Sequence, residues 1–217
     1  GAGFIGCHAA KYFAKKGYSI IIIDNLSRKG SVENLNWLKN QYPIKLYKTD
    51  IQDRLSLEDI FKNENNPKGI LHLAAQVAVT TSVSNPRNDF NVNALGTLNI
   101  LEAVRHFCPE VPFIFSSTNK VYGLLNSEKI SEGAKRYKID KKKEGISETE
   151  PLDFHSPYGC SKGSADQYVL DYARIFNLKT VSFRQSCIYG ERQFGVEDQG
   201  WLAWFIIATI LGKEISI

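Results

Sequence analysis

Four consecutive isoleucines, Ile20 to Ile23, limit most narrowly what this chain can fold into. The run follows the turn residue Gly17 and ends at Asp24, so it is short and continuously apolar rather than alternating. Such a run is typical of a strand buried on both faces, as in parallel sheets that are covered by helices. Similar apolar runs recur along the chain with helical patterns between them. We therefore predict an α/β fold with a doubly wound parallel sheet.

The predicted elements alternate along almost the whole chain. After a first helix that ends at Gly17, we predict further helices over 31–40, 56–62, 89–107, 157–176 and 201–211. The predicted strands cover 19–24, 44–48, 69–75, 112–115, 179–183 and 214–217. His72 lies inside one of these strands, which favours a packed core histidine over a ligand.

Residues 124–150 interrupt this alternation. They are polar, rich in Lys and Glu, and follow neither a helical nor a strand period. One interpretation is a solvated surface loop. The other is a flap over a substrate, in which Arg136 and Lys141 to Lys143 help to hold a diphosphate.

Composition excludes several classes of protein. The chain has 217 residues, and a hydrophobic content of 43% with a charged content of 23% is ordinary for a soluble globular protein. No apolar run approaches the ~20 residues of a membrane helix, and the net charge of +4 is too small and dispersed to indicate nucleic-acid binding. The four cysteines have no CxxC spacing, so we predict reduced thiols, no metal site and a cytoplasmic protein without a signal peptide.

The chain opens on a glycine-rich motif, GAGFIG at 1–6. Gly3 and Gly6 would let backbone amides and a helix end approach a pyrophosphate. The strand that normally precedes such a loop is not in this sequence, so we expect a sheet without its first strand. Asp24 follows Gly6 at the spacing of a carboxylate that binds the adenosine ribose, and it would repel a 2′-phosphate. This pattern predicts NAD rather than NADP.

Polar and small residues follow the other predicted strands, at the edge where ligands bind in a doubly wound sheet. They are Asp50 and Ile51, Ala74 and Ala75, and the segment 116–118. We therefore expect these residues to line one site together with Asp24.

The segment SPYGCSK at 156–162 begins the longest predicted helix. Ser156 is a suitable cap and Pro157 a suitable first residue. Tyr158 and Lys162 are four residues apart and so lie on one face of the helix. An ammonium beside a phenol favours the phenolate, so we predict a lowered pKa for Tyr158 and a role as proton acceptor.

Taken together, the motifs resemble those of the extended short-chain dehydrogenases/reductases, in the family of NAD-dependent sugar-nucleotide epimerases and dehydratases. The segments that carry the resemblance are GAGFIG at 1–6, DNLS at 24–27, HLAAQ at 72–76, NALGTLNILEA at 93–103, SSTNKVYG at 116–123 and SPYGCSK at 156–162. The resemblance implies a Rossmann-type NAD-binding domain over 1–190 and the beginning of a substrate domain over 191–217. It also implies a nucleotide-sugar substrate and a homo-oligomer for the full-length protein.

The resemblance assigns residues to three roles. The catalytic residues are Thr118, Tyr158 and Lys162. The cofactor-binding residues are Gly3, Phe4, Ile5, Gly6, Asp24, Asn25, Asp50, Ile51, Leu73, Ala74, Ala75, Asn93, Ser116, Tyr158 and Lys162. The substrate-binding residues are Gln76, Thr118, Asn119, Lys120, Arg192 and Gln193.

One departure from the family pattern bears on the reaction. The 4,6-dehydratases of this family place an Asp-Glu pair after the catalytic Thr, where this chain has Asn119 and Lys120. Epimerisation is therefore favoured over dehydration. Within the family, the segments 25–30, 76–86, 153–176 and 191–201 most resemble epimerases that act at carbon 2 of a CDP-linked sugar. The alternatives are a 4-epimerase of a UDP-sugar, a 4,6-dehydratase and a non-catalytic NAD-binding regulator.

Overall fold

Helices and strands alternate in this computed structural model, which describes residues 1–64, 66–125, 129–139, 145–197 and 199–215. The strands are β1 (Ile20–Ile23), β2 (Ile44–Tyr47), β3 (Ile70–His72), β4 (Phe113–Thr118), β5 (Ile130–Glu132), β6 (Tyr137–Ile139) and β7 (Thr180–Gln185). The α-helices are α1 (Phe4–Lys15), α2 (Ser31–Lys39), α3 (Arg54–Asn63), α4 (Val79–Ser84), α5 (Pro86–Phe90), α6 (Gly96–Phe107), α7 (Ser156–Phe176) and α8 (Trp201–Ile210). A π-helical turn (Asn91–Leu95) joins α5 to α6, and a 3-10 turn (Asn119–Tyr122) follows β4.

The strands β1 to β4 and β7 pair in parallel, which confirms the predicted α/β fold. β1 pairs with β2, and β4 lies between β3 and β7. An apolar groove of about 170 Å³, whose walls include Ile22 and Ile70, separates β1 from β3. The gap falls where the sequence predicts that the first strand of a doubly wound sheet is missing.

The main core lies between β4 and the helices α6 and α7. Phe113 and Phe115 of β4 are fully buried against Leu101 and Val104 of α6 and Val169 of α7. Burial of side chains of this size typically contributes about 1.5–3 kcal/mol each. This packing fixes where α7 begins relative to the carboxyl end of β4.

The start of α7 forms as the sequence predicts, with its boundary one residue earlier. The Ser156 hydroxyl accepts a hydrogen bond from the Gly159 N–H at 3.2 Å, and Pro157 occupies the first turn. His72 is also a core residue, as predicted. It is buried, its Nε2 lies 2.9 Å from the Thr97 hydroxyl, and its ring stacks on Phe115.

Three predictions of local structure need correction. The helix predicted over 89–107 begins at Pro86 and contains the π turn, because Asn85 caps α5 through the Asn88 N–H at 3.1 Å. The segment 124–150 contains the hairpin β5–β6, whose strands of three residues are too short and too exposed to show a period. No strand forms over 213–215, where no other described strand pairs with the chain; residues 216–217 and Lys141 to Lys143 lie outside the described residues.

The two ends of the segment 124–150 lie together. The Asp153 N–H donates to the Val121 carbonyl at 2.9 Å, in the 3-10 turn that follows Thr118. The segment therefore leaves and rejoins the fold beside the end of β4, and its function as a flap stays a prediction. Among the described helices, none combines the length and the apolar character needed to cross a membrane.

A buried ion pair fastens α7 to β7. Asp166 is fully buried and accepts from Arg184 Nη2 at 2.8 Å and from the Ser182 hydroxyl at 2.6 Å. Burial opposes ionisation of Asp166, but these donors outweigh it and lower the pKa of the carboxyl. A group with a lowered folded-state pKa contributes stability above its unfolded pKa and loses it as the pH falls through the folded value.

We expect Arg184→Met to lower the free energy of unfolding by about 3–5 kcal/mol at neutral pH, because it leaves a buried carboxylate without its cation. The loss should shrink in acid, where Asp166 takes up a proton. Urea unfolding of both proteins across the acid range measures this difference. As a control, Lys179→Met removes the exposed pair with Glu110 and should change stability little. An equal loss in the two variants would contradict the role assigned to the buried pair.

Candidate active site

The ends of the parallel strands form one wall of a cleft of about 680 Å³. Eleven of the predicted cofactor residues line it, and all of them follow β1, β2 or β3 or belong to the glycine-rich segment. They are Gly3, Phe4, Ile5, Gly6, Asp24, Asn25, Asp50, Ile51, Leu73, Ala74 and Ala75. The size is in the usual range for small-molecule sites.

The glycine-rich segment turns into α1 at the edge of this cleft. Gly3 precedes the first residue of the helix, so the positive end of the helix dipole and its free N–H groups face the cleft. A Cβ on Gly6 would lie 1.9 Å from the Gly1 carbonyl oxygen, so only glycine allows this close turn. The arrangement suits a bound anion such as a phosphate group.

Asp24 joins the glycine-rich segment to the end of β1. Its Oδ2 accepts from the Gly1 nitrogen at 2.9 Å and the Ala2 N–H at 2.8 Å, and its Oδ1 accepts from the Leu26 N–H at 2.7 Å. The hydrogen bonds from the backbone N–H groups of Ala2 and Leu26 favour the ionised form of the carboxyl. The side chain is therefore an anion on the cleft wall, with lone pairs left to accept hydrogen bonds.

The next strand end is held by polar side chains. Asn25 Nδ2 donates to Asp50 at 2.6 Å, which links the ends of β1 and β2. Asn99 of α6 donates to the Ile51 carbonyl at 3.0 Å, and a Cβ on Gly96 would lie 2.6 Å from the Ile51 side chain. Sequence reasoning did not identify Asn99 and Gly96 as supports of the cleft wall, although both belong to the quoted segment 93–103.

The three predicted catalytic residues come together beyond this cleft. Thr118 is the last residue of β4, and Tyr158 and Lys162 lie on successive turns of α7. Thr118 and Tyr158 are close enough for the Thr118 side chain to lower the pKa of the Tyr158 phenol. Lys162 is buried, donates to the Ser116 carbonyl at 2.6 Å and lies 4.2 Å from the centre of the Phe115 ring.

The electrostatics of Tyr158 differ from the prediction. Burial is the largest influence and raises the pKa of Tyr158, while the hydrogen bond with Thr118 lowers it and the charge of Asp89 raises it further. The predicted lowering by Lys162 is therefore wrong for this structure, because the ammonium donates to Ser116 rather than to the phenol. Spacing along a helix predicted that the two residues share a face, but it could not predict burial.

Lys162 itself is strongly affected by its surroundings. Burial lowers the pKa of its ammonium to about 7, although the negative charges of Asp166 and Asp89 oppose the change. The site thus holds a phenol and an amine whose protonation depends on nearby buried carboxylates. Perturbed groups of this kind are common at functional sites.

Asn93 and Gln76 connect the two parts of the site. The Gln76 N–H donates to Asn93 Oδ1 at 2.9 Å, and Asn93 Nδ2 lies 3.0 Å from the Ser161 hydroxyl of α7. Asn93 is buried inside this network, whereas Gln76 lines the cleft. The Gln76 side chain bonds to both backbone groups of Ala78, so the structure shows it as a support of the loop after β3, and its contact with a substrate stays a prediction.

The other predicted substrate residues are divided between two places. Asn119 and Lys120 follow Thr118 and are exposed. Arg192 and Gln193 line the cleft at its α2 side, where Arg192 donates to Asn34 at 3.0 Å and lies over the Trp37 ring. Asn34 and Trp37, which sequence reasoning missed, carried no signal beyond their place in a predicted helix.

Comparison with known proteins agrees with this geometry. The family model described as GDP-mannose 4,6 dehydratase matches residues 1–197. CDP-paratose 2-epimerase of Salmonella typhi is 49% identical to this chain, and the match covers 94% of this chain and 60% of that protein. A putative UDP-glucose 4-epimerase of Methanocaldococcus jannaschii is 31% identical, and the match covers 95% of this chain and 60% of that protein. The chain thus spans about 60% of the length of these curated relatives.

Solved structures show the same fold. UDP-glucose 4-epimerase of Thermotoga maritima, solved with UDP-glucose, has a TM-score of 0.80 at 35% sequence identity. The match covers 100% of this chain and 63% of the Thermotoga chain. The Thermus thermophilus UDP-glucose 4-epimerase, solved with NAD, has a TM-score of 0.79 at 32% sequence identity. That match covers 99% of this chain and 62% of the Thermus chain. With the family model extending over most of its length, this chain belongs to the extended short-chain dehydrogenases/reductases, in the family of sugar-nucleotide epimerases and dehydratases.

Proposed function

We propose that this chain binds NAD and carries the catalytic residues of a nucleotide-sugar epimerase, specifically a CDP-paratose 2-epimerase that forms CDP-tyvelose. The observation that carries the proposal is the meeting of Thr118, Tyr158 and Lys162 at the carboxyl end of β4, next to the cleft. The 49% identity to the Salmonella typhi enzyme supports the choice of substrate.

The cleft fits a dinucleotide. The close turn at Gly6 and the amino-terminal end of α1 are suited to a pyrophosphate, and Asp24 can accept hydrogen bonds from a ribose. Ala74 and Ala75 leave room beside the end of β3. NAD, when bound, supplies reversible hydride acceptance at a carbon that bears a hydroxyl group.

The catalytic residues handle the proton and the oxygen of the reacting sugar. As the phenolate, a form that burial and the charge of Asp89 disfavour by raising its pKa, Tyr158 takes the hydroxyl proton when the sugar carbon becomes a ketone. It returns a proton when the alcohol forms again on the other face. Thr118 donates a hydrogen bond to the oxygen as negative charge develops there. Lys162 is held one turn along α7 from Tyr158 by its hydrogen bond to the Ser116 carbonyl, and its ammonium form supplies positive charge at the site.

Epimerisation is favoured over dehydration by the residues after Thr118. Loss of water across carbons 5 and 6 needs an acid and a base, and Asn119 and Lys120 provide no carboxylate there. A UDP-sugar 4-epimerase is the second candidate, because the solved structures with this fold include such enzymes. The decisive assay incubates full-length protein with CDP-paratose, UDP-glucose and UDP-galactose and identifies the products by NMR. Conversion of a UDP-sugar but not of CDP-paratose would contradict the proposed substrate.

We further propose that the full-length protein is a homo-oligomer and that residues 191–217 begin the substrate-binding domain. In this chain Phe90, Tyr168 and Phe176 expose 54%, 46% and 43% of their surfaces on α5 and α7. Apolar side chains exposed in this way are suited to contact a second subunit. Sedimentation of the full-length protein tests the oligomeric state.

We predict that Tyr158→Phe lowers kcat by about 10²- to 10⁴-fold, because it removes the proton acceptor and keeps the ring. NAD affinity should stay close to that of the wild type. Tyr12→Phe is the matched control, since it removes a hydroxyl from a tyrosine that is 56% exposed on α1, outside the proposed subunit contact, and it should retain full turnover. Substantial activity in Tyr158→Phe would show that another group moves the proton.

We predict that the protein binds NAD at least about tenfold more tightly than NADP, which corresponds to about 1.4 kcal/mol. The reason is the anionic Asp24 on the cleft wall, which repels a 2′-phosphate. Asp24→Asn should narrow the ratio of the two affinities, whereas Asp53→Asn, which changes the exposed cap of α3, should leave the ratio unchanged. Equal affinities in the wild type would indicate that Arg28 and Lys29, which also line the cleft, dominate the selection.

We predict that the epimerised product formed in heavy water contains no deuterium bound to carbon. A hydride that leaves and returns without exchange carries no solvent proton, whereas enolisation or dehydration would add one. Mass spectrometry of the product and the absence of a 4-keto-6-deoxy sugar check this outcome. Deuterium on carbon would refute the mechanism even if the enzyme inverts the correct centre.

A further inference from the structure

Asp89 of α5 is a buried carboxylate to which sequence reasoning assigned no role. It is 1% exposed and accepts three side-chain hydrogen bonds. The donors are the Ser161 hydroxyl at 2.5 Å, Gln76 Nε2 at 2.7 Å and Asn93 Nδ2 at 3.2 Å. A carboxylate so enclosed is stabilised only while these donors stay in place.

The three donors come from separate parts of the site. Ser161 lies in α7 between Tyr158 and Lys162, and its hydroxyl also lies 3.2 Å from the Tyr158 carbonyl oxygen. Gln76 belongs to the loop after β3 and lines the cleft. Asn93 is in the π turn. One carboxylate therefore connects the first turns of α7 to the wall of the cleft.

We propose that Asp89 is a positioning residue of this site, which fixes the start of α7 against the loop after β3 and places a negative charge near Tyr158 and Lys162. The catalytic part of this proposal rests on the proposed function. The positioning and the charge do not, because they are properties of the folded protein.

The charge of Asp89 acts on both titrating groups in the same direction. It disfavours the phenolate of Tyr158 and favours the ammonium of Lys162, so it raises the pKa of each. Among the described residues, the other charge that acts on Lys162 is Asp166 of α7, and burial keeps His72 of β3 neutral with a pKa of about 3. Removal of the Asp89 charge should therefore lower the pKa of both groups, while the charge of Asp166 continues to act on Lys162.

The direct test measures ionisation of Tyr158 in full-length protein labelled with 13C at the tyrosine Cζ. The resonance of Tyr158 is assigned by its absence in Tyr158→Phe. In Asp89→Asn, which keeps the size of the side chain and removes its charge, we expect the pKa of Tyr158 to fall below that of the wild type. An unchanged pKa would overturn the electrostatic part of the proposal.

Two further variants separate charge from position. Ser161→Ala removes the hydrogen bond to α7 and keeps the Asp89 charge, so it should lower kcat by about 10- to 100-fold and leave the pKa of Tyr158 unchanged. Glu102→Gln is the matched control. It removes a carboxylate that accepts from the Tyr172 hydroxyl at 2.7 Å, far along α7, and it should change neither quantity.

Activity completes the test. In Asp89→Asn the pH profile of kcat/KM should shift to lower pH, a change that mere loss of folded protein cannot produce. If Asp89→Asn fails to fold, Ser161→Ala still decides the positioning role, and wild-type turnover in that variant would refute it. If the wild type does not epimerise any of the three sugars, the proposed function fails, while the NMR titration still decides the effect of Asp89.

Discussion

The burial of the Lys162 ammonium between α7 and β4 is the constraint on which the arrangement of the site depends. Removal of an amine from water is costly unless it gains hydrogen bonds and nearby negative charge. Lys162 donates one hydrogen bond to the Ser116 carbonyl, and Asp166 and Asp89 supply the charge. Each of these groups has partners of its own, so the position of one lysine depends on several separate elements of the fold.

The two carboxylates near Lys162 are held in different ways. Asp166 is paired with Arg184 and so belongs to a compensated ion pair between α7 and β7. Asp89 has only uncharged donors in Ser161, Gln76 and Asn93, and these are residues of the site itself. A movement of Gln76 in the cleft wall can therefore displace α7 through Asp89. Asp166 instead anchors the helix to β7.

The sequence predicted one half of the site much better than the other. The cleft half follows from short-range patterns: an apolar run that ends at Asp24, a glycine turn before a helix, and small residues after β3. Parallel pairing brings these strand ends to one edge, so their meeting could be predicted without a structure. The catalytic half depends on contacts between distant positions, such as Ser161 with Asp89, and on burial, which the spacing of Tyr158 and Lys162 does not encode. That is why the family resemblance was needed to name the three residues together, and why the spacing could not give the direction of the Tyr158 pKa.

The lowered pKa of Lys162 means that burial of this amine reduces the free energy of unfolding. A shift from 10.5 to about 7 corresponds to about 5 kcal/mol at 1.36 kcal/mol per unit, as an order of magnitude. Because the folded-state pKa is the lower one, the unfolded chain binds more protons between these values, and stability rises with pH across that window. Below pH 7 the full cost is present. A methionine could fill the same space without this cost, so packing does not explain a lysine at this position. The proton transfer that we propose at the end of β4 gives a reason for a buried amine that packing does not give.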